Sequence, residues 1–212
     1  YLPTFITASE EQLLAGGATA SPLEQEAAED DRDAGAADVA ALGLAADDVV
    51  VGVSASGRTP YVLGALAKAS GAGAKTACVV SVHGSELEAI VEHPIAVVVG
   101  PEFLAGSTRL KAGTAQKLVL NTLSTISMIR LGKTFGNLMV DVSATNEKLR
   151  ARVRRIVRAA TDASPEQVEE ALAAADGDAK VAILSLLAGV EAEEARTRLD
   201  ESGRSIRRAL GR

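Results

Sequence analysis

Three short apolar runs, each followed by polar punctuation, set the expected architecture of this chain. Val49-Val50-Val51-Gly52-Val53, residues 75–82 and residues 94–99 are continuous and rich in β-branched residues, so each reads as a buried strand. Ser54–Thr59 reads as a loop and Pro60–Ala69 as a helix between the first two runs, and Ser85–Glu92 reads as a short helix between the second and third. Alternating strands and helices predict an α/β fold with a parallel sheet covered on both faces. Leu110, Leu118, Val119, Leu123, Ile126 and Ile129 then predict a long, largely buried helix over Thr108–Leu131, broken at Gly132 and Gly136. Residues 1–46 mix loop and helix with weak periodicity, and acidic residues are dense from Glu24 to Asp33. Beyond Asn146 the pattern becomes short charged helices at about 146–160, 164–175, 178–188, 191–200 and 202–211, the second announced by Ser164-Pro165. The expected organisation is a ligand-binding domain over 1–159 and a small helical appendage over 160–212.

Composition narrows this picture. Hydrophobic residues make up 47% of the chain and aromatics only 2%, so the core has to be built from Ala, Val, Leu and Ile. A formal net charge of -6 argues against a nucleic-acid partner, and the basic residues Arg150, Arg152, Arg154, Arg155 and Arg158 spread around several helix faces as a solvated surface would. The single Cys78 lies in an apolar run, which excludes an intramolecular disulfide and reads as a small buried hydrophobe. Neither a stretch of about 20 apolar residues nor a basic-then-apolar leader is visible, so a cytoplasmic protein without a membrane span is expected. The chain opens at Tyr1 without a Met and reads as a processed or truncated piece. His83 and His93 are isolated, with no ligand spacing around them, so no metal is expected.

Two segments carry candidate chemistry. Gly100–Lys117 places Ser107, Thr108, Arg109 and Lys111 where a helix should begin, and free N–H groups at a helix entrance attract an anion. Ser54-Ala55-Ser56-Gly57-Arg58-Thr59 lies between a strand and a helix, at the sheet edge where open α/β folds bind ligands. Ser54, Ser56 and Thr59 can donate hydrogen bonds to a phosphate, and Gly57 permits close backbone approach. The loop lacks the Gly-Lys-Ser/Thr of a Walker motif, and on spacing alone an ordinary helix-capping loop is the commoner explanation. Arg58, Arg109 and Lys111 can meet substrate or pair with carboxylates, and Glu102 can contact a sugar hydroxyl or cap a loop.

Ser54–Tyr61, Gly100–Lys117 and the run Gly132–Lys148 together resemble the N-acetylmuramic acid 6-phosphate etherase family of sugar isomerase (SIS) domain proteins, nearly continuously from Glu29 to about Arg155. The Gly100–Lys117 signature is also similar to that of the glucokinase regulatory protein, which binds sugar phosphates without transforming them. The resemblance implies an SIS-type three-layer sandwich around a parallel sheet, incomplete at its N-terminus, followed by a small ubiquitin-associated-like helical bundle. It implies a homodimer with no cofactor that removes D-lactate from its sugar phosphate substrate, and Ser54, Ser56, Gly57, Arg58, Thr59, Glu102, Arg109 and Lys111 are the candidate substrate-binding residues. Glu29, in Ala28-Glu29-Asp30-Asp31-Arg32, matches the family segment that holds a catalytic glutamate, although its acidic neighbours alone would read as a solvated helix face. A second catalytic carboxylate and a first glycine-rich loop are expected upstream of Tyr1-Leu2-Pro3-Thr4. A non-catalytic sugar-phosphate sensor is the alternative.

Overall fold

A computed structural model describes residues 13–17, 19, 21–142, 144 and 146–211, and the Tyr1–Thr4 segment lies outside them. The chain divides into two compact units between Thr122 and Leu123. In the first, α1 (Pro22–Ala28) starts with a capping box between Ser21 and Glu24, and α2 (Arg32–Ala41) is capped by the Asp31 carboxylate. Then come β1 (Val49–Val53), α3 (Pro60–Gly71), β2 (Lys75–Val80), α4 (Glu86–Ile90) and β3 (His93–Ala96).

The strands form a parallel sheet in the order β1-β2-β3, with Val49 beside Lys75 and Ala77 beside His93. β2 is central, and its residues from Thr76 to Val80 are all buried, as expected for a strand with a neighbour on each side. Leu63 and Leu66 of α3 pack with Cys78, Val80 and Leu87, while Val39 of α2 joins Ala65, Ala69 and Ala74 in an adjoining core. Burial pushes the Cys78 thiol up, which fits a packing role. β3 ends three residues before the predicted position 99, although Val97 N–H still donates to Val80 O at 2.8 Å.

α5 (Lys111–Arg130) corrects one expectation: it is a long helix but not a largely buried one. Ala112 and Met128 are buried, whereas Leu118, Leu123, Ile126 and Ile129 are exposed. The apolar pattern marks a face suited to being covered, and nothing in the described residues covers it.

The second unit begins at Leu123, earlier than the appendage read from the sequence. It contains β4 (Thr134–Phe135) and β5 (Leu138–Met139), then α6 (Glu147–Thr161), α7 (Pro165–Ala174), α8 (Ala179–Ala188), α9 (Ala192–Glu201) and α10 (Ile206–Ala209). Val140, Val153, Ile156 and Val157 share one core with Val168, Val181, Ile183, Leu184 and Leu199, so the residues before 160 join the helices after it through common packing. The antiparallel β4–β5 hairpin goes beyond the sequence reading, in which Gly132 and Gly136 mark only a break; Gly136 has φ 59°, the conformation a tight hairpin turn demands.

Lys180 on α8 is 1% exposed and is held at 3.1 Å from Asp141 and 3.2 Å from Arg204 O, with Lys133 also paired to Asp141. Burial pushes the Asp141 carboxyl up, but hydrogen bonds and charge from Lys133 and Lys180 outweigh it and hold the group below its ordinary value. A carboxyl depressed in the folded state stabilises fully above its unfolded value and loses that contribution as pH falls through the folded value. Asp141→Asn is therefore expected to cost roughly 3 kcal/mol at pH 7, because it strands the buried Lys180. Urea unfolding should show the gap to wild type narrowing as pH falls below about 4.

Candidate functional site

The loop after β1 is organised around Ser54, which is 7% exposed. Its hydroxyl lies 2.8 Å from Thr59 Oγ1 and 3.4 Å from Ser56 Oγ, and accepts the Gly57 N–H at 3.1 Å. Ser56 Oγ accepts the Arg58 N–H at 3.3 Å. These bonds curl the chain into a cradle of hydroxyls at the carboxyl edge of the sheet. The backbone N–H groups of Ser56 and Thr59 have no partner among the described residues and remain free for an anion. Arg58 is exposed and makes no ion pair among the described residues.

Gly57 is the tightest point. Its φ is +65°, and an added Cβ would lie 2.4 Å from both Cβ and Oγ of Ser85. Its carbonyl accepts the Leu87 N–H at 3.1 Å, and Ala55 O accepts the Ser81 N–H at 3.0 Å. The loop thus rests on the start of α4, where Ser85 and Glu88 form a reciprocal capping box and hydrogen bonding from Ser85 holds the Glu88 carboxyl below its ordinary range. Ser85, 5% exposed, is the neighbour that sequence reasoning missed; Ser-x-x-Glu signals a helix start but not which loop will lean on it.

Glu29 is tied by its backbone to the helix that follows the loop. It is the C-cap of α1, with an exposed side chain, and its carbonyl accepts the N–H of Tyr61 at 3.0 Å, two residues past Thr59. Glu29 and the Ser54–Thr59 loop, far apart in sequence, are joined at the start of α3.

The helix entrance at Gly100–Lys117 behaves differently from the bare anion site its composition predicts. Glu102 occupies it: its carboxylate accepts the Lys111 N–H at 3.0 and 2.9 Å and the Ala112 N–H at 3.0 Å. Backbone N–H groups of Ala112 and Lys111 hold the Glu102 carboxyl below its ordinary value. Lys111 Nζ donates to Pro101 O at 2.8 Å, and Arg109 is exposed. Glu102 takes the loop-capping alternative in this conformation, and no hydrogen bond or ion pair among the described residues joins this cluster to Ser54–Thr59.

His83 faces Glu88 at 3.7 Å, and His93 opens β3. Among the described residues there is no group of three or more His, Cys, Asp or Glu that could hold a metal ion, and no helix is long and apolar enough to cross a membrane.

A parallel sheet flanked by helices, with a serine and threonine cradle at its carboxyl edge, defines an SIS-type domain. A family model for the glucokinase regulatory protein N-terminal SIS domain matches residues 6–70. Relatives named N-acetylmuramic acid 6-phosphate etherase include those of Streptomyces avermitilis, 59% identical over 98% of this chain and 68% of the relative, and Mycolicibacterium smegmatis, 54% identical over 99% of this chain and 71% of the relative. The relative from Rubrobacter xylanophilus is 59% identical over 94% of this chain and 65% of its own length. The chain therefore spans about two thirds of the relatives it matches, and it belongs to the N-acetylmuramic acid 6-phosphate etherase family.

Proposed function

We propose that this chain acts as a carbon–oxygen lyase that cleaves the D-lactyl ether of N-acetylmuramic acid 6-phosphate, giving N-acetylglucosamine 6-phosphate and D-lactate in the recycling of cell-wall sugar. What supports this most is the junction of Glu29 with the Ser54–Thr59 cradle in a chain 59% identical to an etherase. The cradle takes the phosphate through the hydroxyls of Ser54, Ser56 and Thr59 and the free N–H groups, with Gly57 leaving room and Arg58 adding charge. Arg109, Lys111 and Glu102 are assigned to substrate as well, Glu102 by leaving the helix start that it caps.

The reaction needs no redox chemistry. Ring opening gives an aldehyde, which acidifies the C2 proton; a carboxylate removes it, and the lactyl oxygen leaves C3 with a proton from an acid. Water then adds to the unsaturated aldehyde at C3. Glu29 is one of the two carboxyl groups, as acid or as base. We assign sugar-phosphate binding to residues 1–159 and a packing role to 160–212, and propose a homodimer acting in the cytoplasm.

The full-length protein, given N-acetylmuramic acid 6-phosphate, is expected to release D-lactate and N-acetylglucosamine 6-phosphate in equal amounts. Binding of the sugar phosphate with no lactate release would overturn the lyase reading and leave a sensor like the glucokinase regulatory protein, which the etherase relatives do not favour.

A further inference from the structure

The start of α3 contains an unusual division of labour. A residue before a helix ordinarily offers its side-chain oxygen to the free N–H groups of the first turn. Thr59 is the N-cap of α3, but it makes no such bond, because its hydroxyl is committed to Ser54 at 2.8 Å. Pro60 has no N–H to satisfy, so the first free donor is that of Tyr61, and it goes to the carbonyl of Glu29 at 3.0 Å. The side chain of Tyr61 makes a second link to the same region. Its ring is buried, 4% exposed, and its hydroxyl donates to Asp38 Oδ2 on α2 at 2.6 Å. Burial, reinforced by Asp38, pushes the phenol far above its ordinary value, so it stays a donor throughout the working pH range.

Glu29 sits on the short turn between α1 and α2, and Asp31 caps α2 by accepting the Ala34 N–H at 2.8 Å. The turn is therefore fixed from two sides, at Glu29 by the Tyr61 backbone and along α2 by the Tyr61 hydroxyl. Close approach of the helices makes this possible. An added Cβ at Gly35 would lie 2.0 Å from Tyr61 O, and one at Gly64 would lie 1.9 Å from Arg32 O.

We propose that Tyr61, through its bond to Asp38, is a positioning residue that holds Glu29 in register with the Ser54–Thr59 cradle, a proposal that rests on the reading of Glu29 as a proton-transfer group. A carboxyl on an exposed turn has many orientations, and proton transfer requires one of them. Losing the bond leaves the Tyr61 N–H on Glu29 O but removes the second anchor, at Asp38 on α2, so the turn is held from one side only while the cradle, built from its own hydroxyls, keeps its grip on phosphate. The signature is a loss in kcat without a loss in binding.

The test compares wild type, Tyr61→Phe, Asp38→Ala, Asp38→Asn and Glu29→Gln in the full-length protein, with lactate release at saturating substrate as the readout. Tyr61→Phe keeps the ring and removes only the hydroxyl; it is expected to lower kcat roughly tenfold or more, with KM and N-acetylglucosamine 6-phosphate binding within about twofold of wild type. The isotope effect on kcat, with C2-deuterated substrate if Glu29 is the base or in D2O if it is the acid, should rise in the variant because proton transfer has become slower. A smaller folded fraction leaves that ratio unchanged, so a lower kcat with an unaltered isotope effect would reduce the pair to a structural role and overturn the proposal. Asp38→Asn, whose amide oxygen still accepts from the phenol, should recover most of the activity, and Asp38→Ala should behave as Tyr61→Phe. If Tyr61→Phe does not fold, Asp38→Ala at its exposed position decides by the same two readouts. Normal kcat in Tyr61→Phe beside an inactive Glu29→Gln would sink the positioning role and leave the lyase reading intact. Wild-type protein that releases no lactate would sink both.

Discussion

Glu29→Gln is expected to lower lactate release by about 10³-fold, the range in which a positioned acid or base contributes. Substrate affinity should hardly change. The substitution keeps the size of the side chain and removes only its capacity to exchange a proton. The side chain is exposed, and the structural bond at this position uses the main-chain carbonyl, which accepts from Tyr61 whatever the side chain is. Folding is therefore expected to survive, and the loss should fall on kcat and not on KM. The acidic surroundings provide an internal control. Glu26, also exposed and on α1, is expected to tolerate Gln with less than about twofold change, because a solvated acidic face is insensitive to one charge. Equal turnover in Glu29→Gln and wild type would return Glu29 to that solvated face.

What the sequence made legible was local. β1 has the predicted bounds because a continuous β-branched run ends in a serine loop, and α3 starts where Pro60 fixes a helical φ. Asn146 caps α6, and Ser164 caps α7 as its place before Pro165 predicts. The cradle of Ser54, Ser56 and Thr59 was readable for the same reason: its bonds span no more than five residues. Contacts made across the fold were not readable. Nothing near Ser85 in sequence reveals that Gly57 will press on it, and nothing near Tyr61 reveals Asp38, 23 residues away. α5 shows the same limit from the other side. Residues 118–129 carry no charge, which marks a face to be buried, but a pattern names no partner surface.

The entrance to α5 shows how an electrostatic inference can be right in its physics and incomplete in its occupant. A helix N-terminus does attract an anion there, and the anion present is the protein's own Glu102. Phosphate at that point has to displace a carboxylate bound to two backbone N–H groups, whereas the N–H groups of Ser56 and Thr59 have no partner among the described residues. On the function proposed above, the cradle is accordingly the stronger phosphate site, and the Gly100–Lys117 segment would serve substrate only through a rearrangement of its cap.

Gly64→Ala separates local propensity from packing by the sign of its effect. Within α3, propensity alone favours Ala over Gly by about 1 kcal/mol, so an isolated helix would gain. Here the new Cβ would fall 1.9 Å from Arg32 O, a main-chain atom of α2 that cannot swing away as a side chain does. Relief requires the two helices to separate, and overpacking of that kind costs about 1–3 kcal/mol or more. Destabilisation by roughly 2 kcal/mol is the expected net result in urea unfolding, with lactate release falling further than stability alone predicts, since α2 carries the turn that bears Glu29. Gly71, the last residue of the same helix, has nothing within 4 Å of its added Cβ. Gly71→Ala is therefore expected to be neutral or slightly stabilising and to leave kcat alone. If Gly64→Ala were to stabilise the protein as Gly71→Ala does, the close contact between α2 and α3 would be refuted, and with it the packing that ties the Glu29 turn to the start of α3.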